Sequence, residues 1–335
     1  MKQNQTITLT VYHGTEAVQE RDVDEVLITH RWATCGDITI RTLPTAEAVS
    51  AYKIGAIIYT EPITDWFVVE KIQLTDTKLT VSGRSLDVVL KRRVFEKTRV
   101  FTGPAKTVLE GLLSTFTGVR ALPVTISVSD TITETISFQK TGATPYEVLI
   151  AICDHLELGY SVAYDSTTGQ ITVSVKKGKE TTTVFSPEYD NLTNALLQGD
   201  IENFANFAFV AGEGEGADRK IATAGDITLA GLTRYEVYID QRNEKKDTED
   251  TDTTYISRLS AKGEEELAKR SYYEAMTGDI LQTEQEYYGV DYDLGEYVLV
   301  EHPQWGISDT YEIVEVEEAQ TTAGYSISPN FAKKG

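Results

Sequence analysis

Through the first hundred positions apolar and polar residues alternate with a period of two. Thr6-Ile7-Thr8-Leu9-Thr10-Val11, Gly36-Asp37-Ile38-Thr39-Ile40 and Leu79-Thr80-Val81-Ser82 place every second side chain on one face, as half-buried strands do. Residues 54–59 and 67–72 are rich in β-branched and aromatic side chains and read as two further strands. Short strands separated by polar turns predict an antiparallel barrel or sandwich.

The period then changes. Between residues 104 and 116, Ala105, Val108, Leu109, Leu112, Leu113 and Phe116 form a helical stripe, with Pro104 at its start and Gly118 just past its end. A second helix begins at Thr144-Pro145-Tyr146-Glu147, the spacing of a capping box, and buries Val148, Leu149, Ile152 and Leu156 before Gly159. Residues 160–164 and 171–175 read as a hairpin across Asp165-Ser166-Thr167-Thr168-Gly169. The segment is therefore a small α+β unit. Strands return at 204–210 and 235–239, flanking Gly212-Glu213-Gly214-Glu215-Gly216. The acidic run 244–254 reads as an exposed loop, and a helix is expected over residues 260–276, its pattern starting at Lys262 and ending at Met276.

A faint internal repeat overlies this order. Tyr52-Lys53-Ile54-Gly55-Ala56-Ile57-Ile58 resembles Tyr292-Asp293-Leu294-Gly295-Glu296-Tyr297-Val298. Each is followed by a second β-type string, Trp66 to Glu70 and Tyr311 to Glu315, with Val81-Ser82 and Ile327-Ser328 beyond them. The fold expected is mainly β: two similar antiparallel β-barrel modules, residues 1–95 and 196–335, flank an α+β middle domain at 96–195, and the second module carries the inserted helix.

Composition narrows the function. The 335 residues are 41% apolar and 25% charged, ample for one or more cores. Thirty-one Lys and Arg face 52 Asp and Glu, a formal charge of −21 that disfavours stable binding to phosphate backbones or anionic lipid. The imbalance is uneven, with net charges of 0, −5 and −16 over residues 1–110, 111–200 and 201–335. The basic residues Arg84, Lys91, Arg92, Arg93, Lys97 and Arg99 could then face the acidic last part of a neighbouring copy. Cys35 and Cys153 make at most one bridge, and no secretory leader or membrane span is evident.

Candidate chemistry is thin. His13, His30, His155 and His302 lack ligand spacing, so neither a metal nor another cofactor is expected. Gly212–Gly216 has carboxylates where a phosphate would sit and no Lys-Ser/Thr ending. Asp247–Asp252 and Asp291-Tyr292-Asp293 do not complete a calcium loop, and Asp154-His155 has no nucleophile elbow to serve. Paired carboxylates of a glycan-degrading enzyme, or a tyrosine-rich glycan-binding face, remain the alternatives.

Several strings, in order along nearly the whole chain, resemble the hub proteins of phage tails and related contractile injection particles. They are Arg31-Trp32-Ala33-Thr34-Cys35-Gly36-Asp37-Ile38; Gly83-Arg84-Ser85-Leu86 with Leu90-Lys91-Arg92-Arg93; Phe185 to Leu192; Asn206 to Gly212; Arg234 to Asp240; Tyr292 to Glu296; and Gly324 to Pro329. The resemblance implies two β-barrel modules per chain and a homotrimeric ring adapting a sixfold tail tube to threefold tip components. It also implies a passage for DNA, which an acidic wall would let slide. Implied partners are the tail tube or distal tail protein, the tape measure protein, and tip spike, fibre or receptor-binding proteins. The place is the virion tail tip, assembled in host cytoplasm. Some long members add a peptidase or lysozyme domain; the hub-like ending at 324–335 leaves no segment for one, so no enzyme activity is expected.

Overall fold

The computed structural model describes residues 6–333 except 14–15, 21–22, 247–249, 271 and 281–287. The first elements are β1 (Thr8–His13), β2 (Glu16–Glu20), β3 (Glu25–Arg31), β4 (Asp37–Thr42), α1 (Ala46–Ala51), β5 (Ile57–Glu61), β6 (Asp65–Leu74) and β7 (Leu79–Ser85). A middle segment follows with β8 (Arg99–Pro104), α2 (Ala105–Glu110), β9 (Val124–Val128), β10 (Thr135–Lys140), α3 (Pro145–Leu156), β11 (Leu158–Asp165) and β12 (Gln170–Lys177). Next come β13 (Lys179–Phe185), β14 (Leu192–Asp200), β15 (Phe207–Ala211), β16 (Ile221–Gly225), β17 (Glu236–Asp240) and α4 (Asp252–Ala268). The chain closes with β18 (Tyr273–Ile280), β19 (Glu296–His302), β20 (Ile307–Thr321) and β21 (Gly324–Ala332).

Two compact units result: residues 1–196 with 276–332, and residues 197–275 with 333–335. In the first, alternation does what the sequence implies. Ile38 and Ile40 of β4 and Leu79 and Val81 of β7 are buried in one core with Leu9, Ile28, Ile58 and Phe67. A second core holds Phe185, Met276, Tyr292, Val298, Tyr311, Ile313 and Phe331. The middle segment has its own, where α3 presents Val148, Leu149 and Ile152 to Val124, Ile126, Val173 and Val175. The α3 capping box is present in full: Thr144 Oγ1 accepts from the Glu147 N–H while Glu147 accepts from the Thr144 N–H.

One 13-stranded sheet runs β14-β18-β21-β20-β3-β4-β7-β6-β5-β1-β2, with β19 on β20 and β13 on β19. The modules join where β20 pairs antiparallel with β3, Glu315 facing Arg31 and Gln320 facing Val26. Not every pairing is antiparallel, as the sequence led us to expect: β13 lies parallel to β19. Strand pairing thus carries residues 179–185 with the terminal strands.

The repeat is physical. Gly55 and Gly295 both have positive φ, 87° and 77°, and Tyr52 and Tyr292 are both buried. Ile57 faces Val68 as Tyr297 faces Glu312, and β6 and β20 each break register with their next partner just beyond, between Val69 and Lys71 and between Ile313 and Glu315. Phe67 therefore corresponds to Tyr311, one position from the match read off the letters. Val81 corresponds to Pro329 rather than Ile327.

In the second unit, α4 covers a three-stranded sheet ordered β16-β15-β17, packing Tyr255, Leu259 and Leu267 on Val210, Ala222 and Ala224. This corrects the expected helix at 260–276 and the loop at 244–254. Thr251 caps the helix, accepting from the Thr254 N–H, so α4 starts inside the acidic run, and Met276 lies in β18. The first half was missed because its start, Asp252-Thr253-Thr254, continues the acidic polar run, and Tyr255 and Leu259 are the only buried apolar residues before the expected start. α2 likewise stops at Glu110, although Leu112 and Phe116 beyond it are still buried.

Candidate functional site

The β3–β20 seam brings together two buried ionisable groups of the larger unit, His30 and Glu318. Along β3, Val26, Ile28 and His30 point inward, so period two delivers an imidazole to a core position. Its Nδ1 lies 3.0 Å from Asp65 Oδ2 at the start of β6, and its Nε2 lies 3.3 Å from Glu318 Oε2 on β20. The other Glu318 oxygen accepts from Tyr325 Oη at 2.8 Å. Burial alone would push the His30 pKa down, but the two carboxylates outweigh it and raise it to about 9. At neutral pH this is an imidazolium held between two carboxylates, with no lone pair to act as a base.

A second network sits behind it. Asp87 accepts from Ser85 Oγ at 2.5 Å, from Tyr160 Oη at 2.7 Å and from Cys35 Sγ at 2.9 Å. Burial pushes its pKa up against those three donors. Burial together with Asp87 also pushes the Cys35 thiol up to about 12, which leaves it protonated and unreactive. Ser85 accepts from the Gly36 N–H and donates to Asp87, and no histidine takes part, so the cluster is structural rather than nucleophilic.

Between the two networks lies a cleft of about 420 Å³, lined by His30, Trp32, Asp65, Tyr160, Lys176 and Asp293 among others. Trp32 fixes its geometry. The backbone N–H of Trp32 donates to Val314 O at 3.0 Å and the backbone N–H of Tyr160 donates to Trp32 O at 2.9 Å. Its ring fills the space that a Cβ on Gly159 or Gly295 would need. One tryptophan thus pins the first module, the middle segment and the second module together. The signal in the sequence, two glycines 127 and 263 residues away, has no local pattern to reveal it.

The basic residues expected at an interface make contacts within the chain or lie exposed. Arg84 Nε donates to Glu70 at 2.6 Å, and Lys91 Nζ lies 4.1 Å from the Tyr146 ring centre. Arg93 donates to Arg120 O at 2.8 Å, Arg99 lies over the Phe95 ring, and Arg92 and Lys97 are exposed.

The other candidates have structural uses. Gly212–Gly216 lies at the β15–β16 turn, where Arg219 donates to Ala211 O and Gly212 O. Asp250 accepts from Arg258, and Asp252 from Lys246 and Lys220. Asp247 lies outside the described residues. His302 stacks on Trp305, and Asp154 and His155 are exposed. Among the described residues no group of three or more His, Cys, Asp or Glu could hold a metal ion, and no helix is long and apolar enough to cross a membrane.

Comparison with known proteins follows the same line. The family model described as Siphovirus ReqiPepy6 Gp37-like protein matches residues 8–331. No curated protein matches. In fold the chain is similar to the tail protein from Neisseria meningitidis MC58, with a TM-score of 0.62 at 12% identity over 99% of this chain and 98% of that one. It is also similar to the 43 kDa tail protein of prophage MuSo2 from Shewanella oneidensis, with a TM-score of 0.61 at 13% identity over 97% and 98%. Prophage tail protein gp18 from Listeria monocytogenes EGD-e gives 0.57 at 13% identity over 98% and 94%.

Proposed function

The chain belongs to the Siphovirus ReqiPepy6 Gp37-like protein family, and from that premise we propose that it is a structural hub subunit of a phage tail tip. Three copies would form a ring presenting six similar β modules to a sixfold tail tube and a threefold face to tip components. The observation that carries this reading is the repeat: glycine turn, strand pairing and register break recur at Gly55 and Gly295 in one chain. A duplicated module is the simplest way for a threefold assembly to meet a sixfold one. The expected division into residues 1–95, 96–195 and 196–335 shifts in this reading: the first seat is 1–95, the second is built from β13, β14 and β18–β21, the segment between β7 and β13 is the spacer, and residues 197–275 form a unit of their own.

The role is non-enzymatic. Its support is that the acid–base groups flanking the cleft are taken up by one another: His30 is clamped by two carboxylates and Asp87 by three donors. The acidic surface would favour passage of DNA without adhesion, and the partners would be the tube or distal tail protein, the tape measure protein and a tip spike or fibre. Light scattering during size exclusion tests the ring: a particle of three times the 37.2 kDa chain mass is expected, alone or with its tube partner. A chain that stays monomeric within isolated virions would overturn the reading.

A further inference from the structure

The duplication can be followed strand by strand, and it leaves two edges unmatched. β7 pairs with β6 as β21 pairs with β20, and β4 lies beside β7 as β18 lies beside β21. β3 lies beside β4 as β14 lies beside β18, so β14 is the second module's counterpart of β3. From the shared register break, Ile72 corresponds to Val316 and Leu74 to Glu318.

One relationship then occurs in one half only. β20, past the end of its ladder with β19, takes β3 along the same edge over residues 315–320. On β6 the ladder with β5 ends at Val68, and among the described residues no strand occupies the edge beyond it, Lys71 to Leu74, the stretch corresponding to 315–318. Among the described residues β14 terminates the sheet, with no strand on its outer edge. Both vacant edges expose leucines: Leu74 on β6 is 53% exposed and Leu196 on β14 is 50% exposed. The filled seam is by contrast dry, with Ile28 and Val316 buried. Open, partly apolar strand edges are liabilities that natural proteins cover.

We infer that β14 of one copy adds antiparallel to the vacant edge of β6 in the next copy, over about residues 71–74, reproducing between chains the β3–β20 seam found within the chain. The occupant is a second copy of this chain because the required strand is this chain's own β14. Two different edges meet, so the contact is head-to-tail, which excludes a two-fold dimer and gives a ring where the rotation closes, as the trimeric hub requires. The inference rests on the hub reading and adds the surface through which its copies join.

Cysteine pairing tests it on the full chain and on assembled particles. Gln73→Cys or Leu74→Cys is combined in one chain with Ala195→Cys or Leu196→Cys and oxidised. Directly opposed strand positions lie within disulfide reach and their neighbours do not. Cys35 and Cys153 are buried and do not interfere. At least one combination should give a covalent trimer as the main product, while each single variant gives none, since the seam never opposes a position to itself. Leu74→Asp and Leu196→Asp, each at an exposed site, should abolish the trimer with the melting temperature of the monomer unchanged. A trimer by light scattering that no combination cross-links, and that survives both aspartates, overturns the strand seam and leaves the hub standing. A chain that is monomeric in isolated particles as well overturns both.

Discussion

Gly55 and Gly295, 240 positions apart in the sequence, adopt the same left-handed conformation, and the N–H of each donates at 2.8 Å to a strand carbonyl, of Val69 and of Ile313. The two sites differ in what surrounds the missing side chain. Nothing lies within 4 Å of a Cβ at Gly55, whereas the Trp32 ring occupies that space at Gly295. Gly55→Ala should therefore cost only the backbone term, about 1–2 kcal/mol. Gly295→Ala should cost visibly more, because Trp32 must move as well. Chemical denaturation of the two variants side by side checks the order; equal losses would contradict the account of Trp32 as a pin.

The clamped His30 makes stability depend on pH in one direction. Its folded pKa, about 9, lies above the ordinary 6.5. The imidazolium is then held more tightly in the folded chain than in the unfolded one. That contribution is whole below pH 6.5 and is lost as pH rises through about 9. The full difference is on the order of 3 kcal/mol. Melting temperatures taken across this window should fall with rising pH in the native protein, while His30→Gln should start lower and lose the slope.

Gly263 lies on the buried stripe of α4, and a Cβ there would stand 2.5 Å from Ala224 Cβ and 2.7 Å from Val210 Cγ2. Helix propensity favours alanine over glycine by about 1 kcal/mol. Two apolar contacts that close outweigh it, since the helix must lift from its sheet. Gly263→Ala should raise amide exchange across residues 207–225 and 252–268, with protection of β3, β4 and β20 unchanged.

Arg92 and Lys97 are exposed, unlike Arg84 and Arg93, whose guanidinium groups are committed within the chain. If the basic segment meets the acidic last part of a neighbouring copy, Arg92→Glu with Lys97→Glu should weaken assembly several-fold at low salt and little at high salt. Sedimentation at two ionic strengths reads this. An unchanged association constant at low salt would remove the segment from the interface.

Where local pattern decides, the sequence was legible. Alternation marked β1, β4 and β7, and Thr144 with Glu147 marked the start of α3. The repeat was legible through its glycine turns, although only strand pairing sets its register, because a β string can slide by a residue without losing its apolar look. The start of α4 was not legible because its first turn continues an acidic polar run, and its end was not because residues 273–276, apolar enough for a helix, pair as β18. The seam was not legible at all. His30 and Glu318 stand 288 positions apart, and each reads in isolation as a polar residue in a strand.

The insertion of the smaller unit has a consequence of its own. Residues 197–275 leave from β14 and return into β18, its neighbour in the sheet, at the place where the first module connects β3 to β4 through residues 32–36. Chain ends already held side by side by a ladder can accept a long excursion at little entropic penalty, since that penalty grows only with the logarithm of length. The hairpin tip is thus a port at which a lineage can exchange an ornament, enlarge it or dispense with it, while the duplicated frame keeps its gauge.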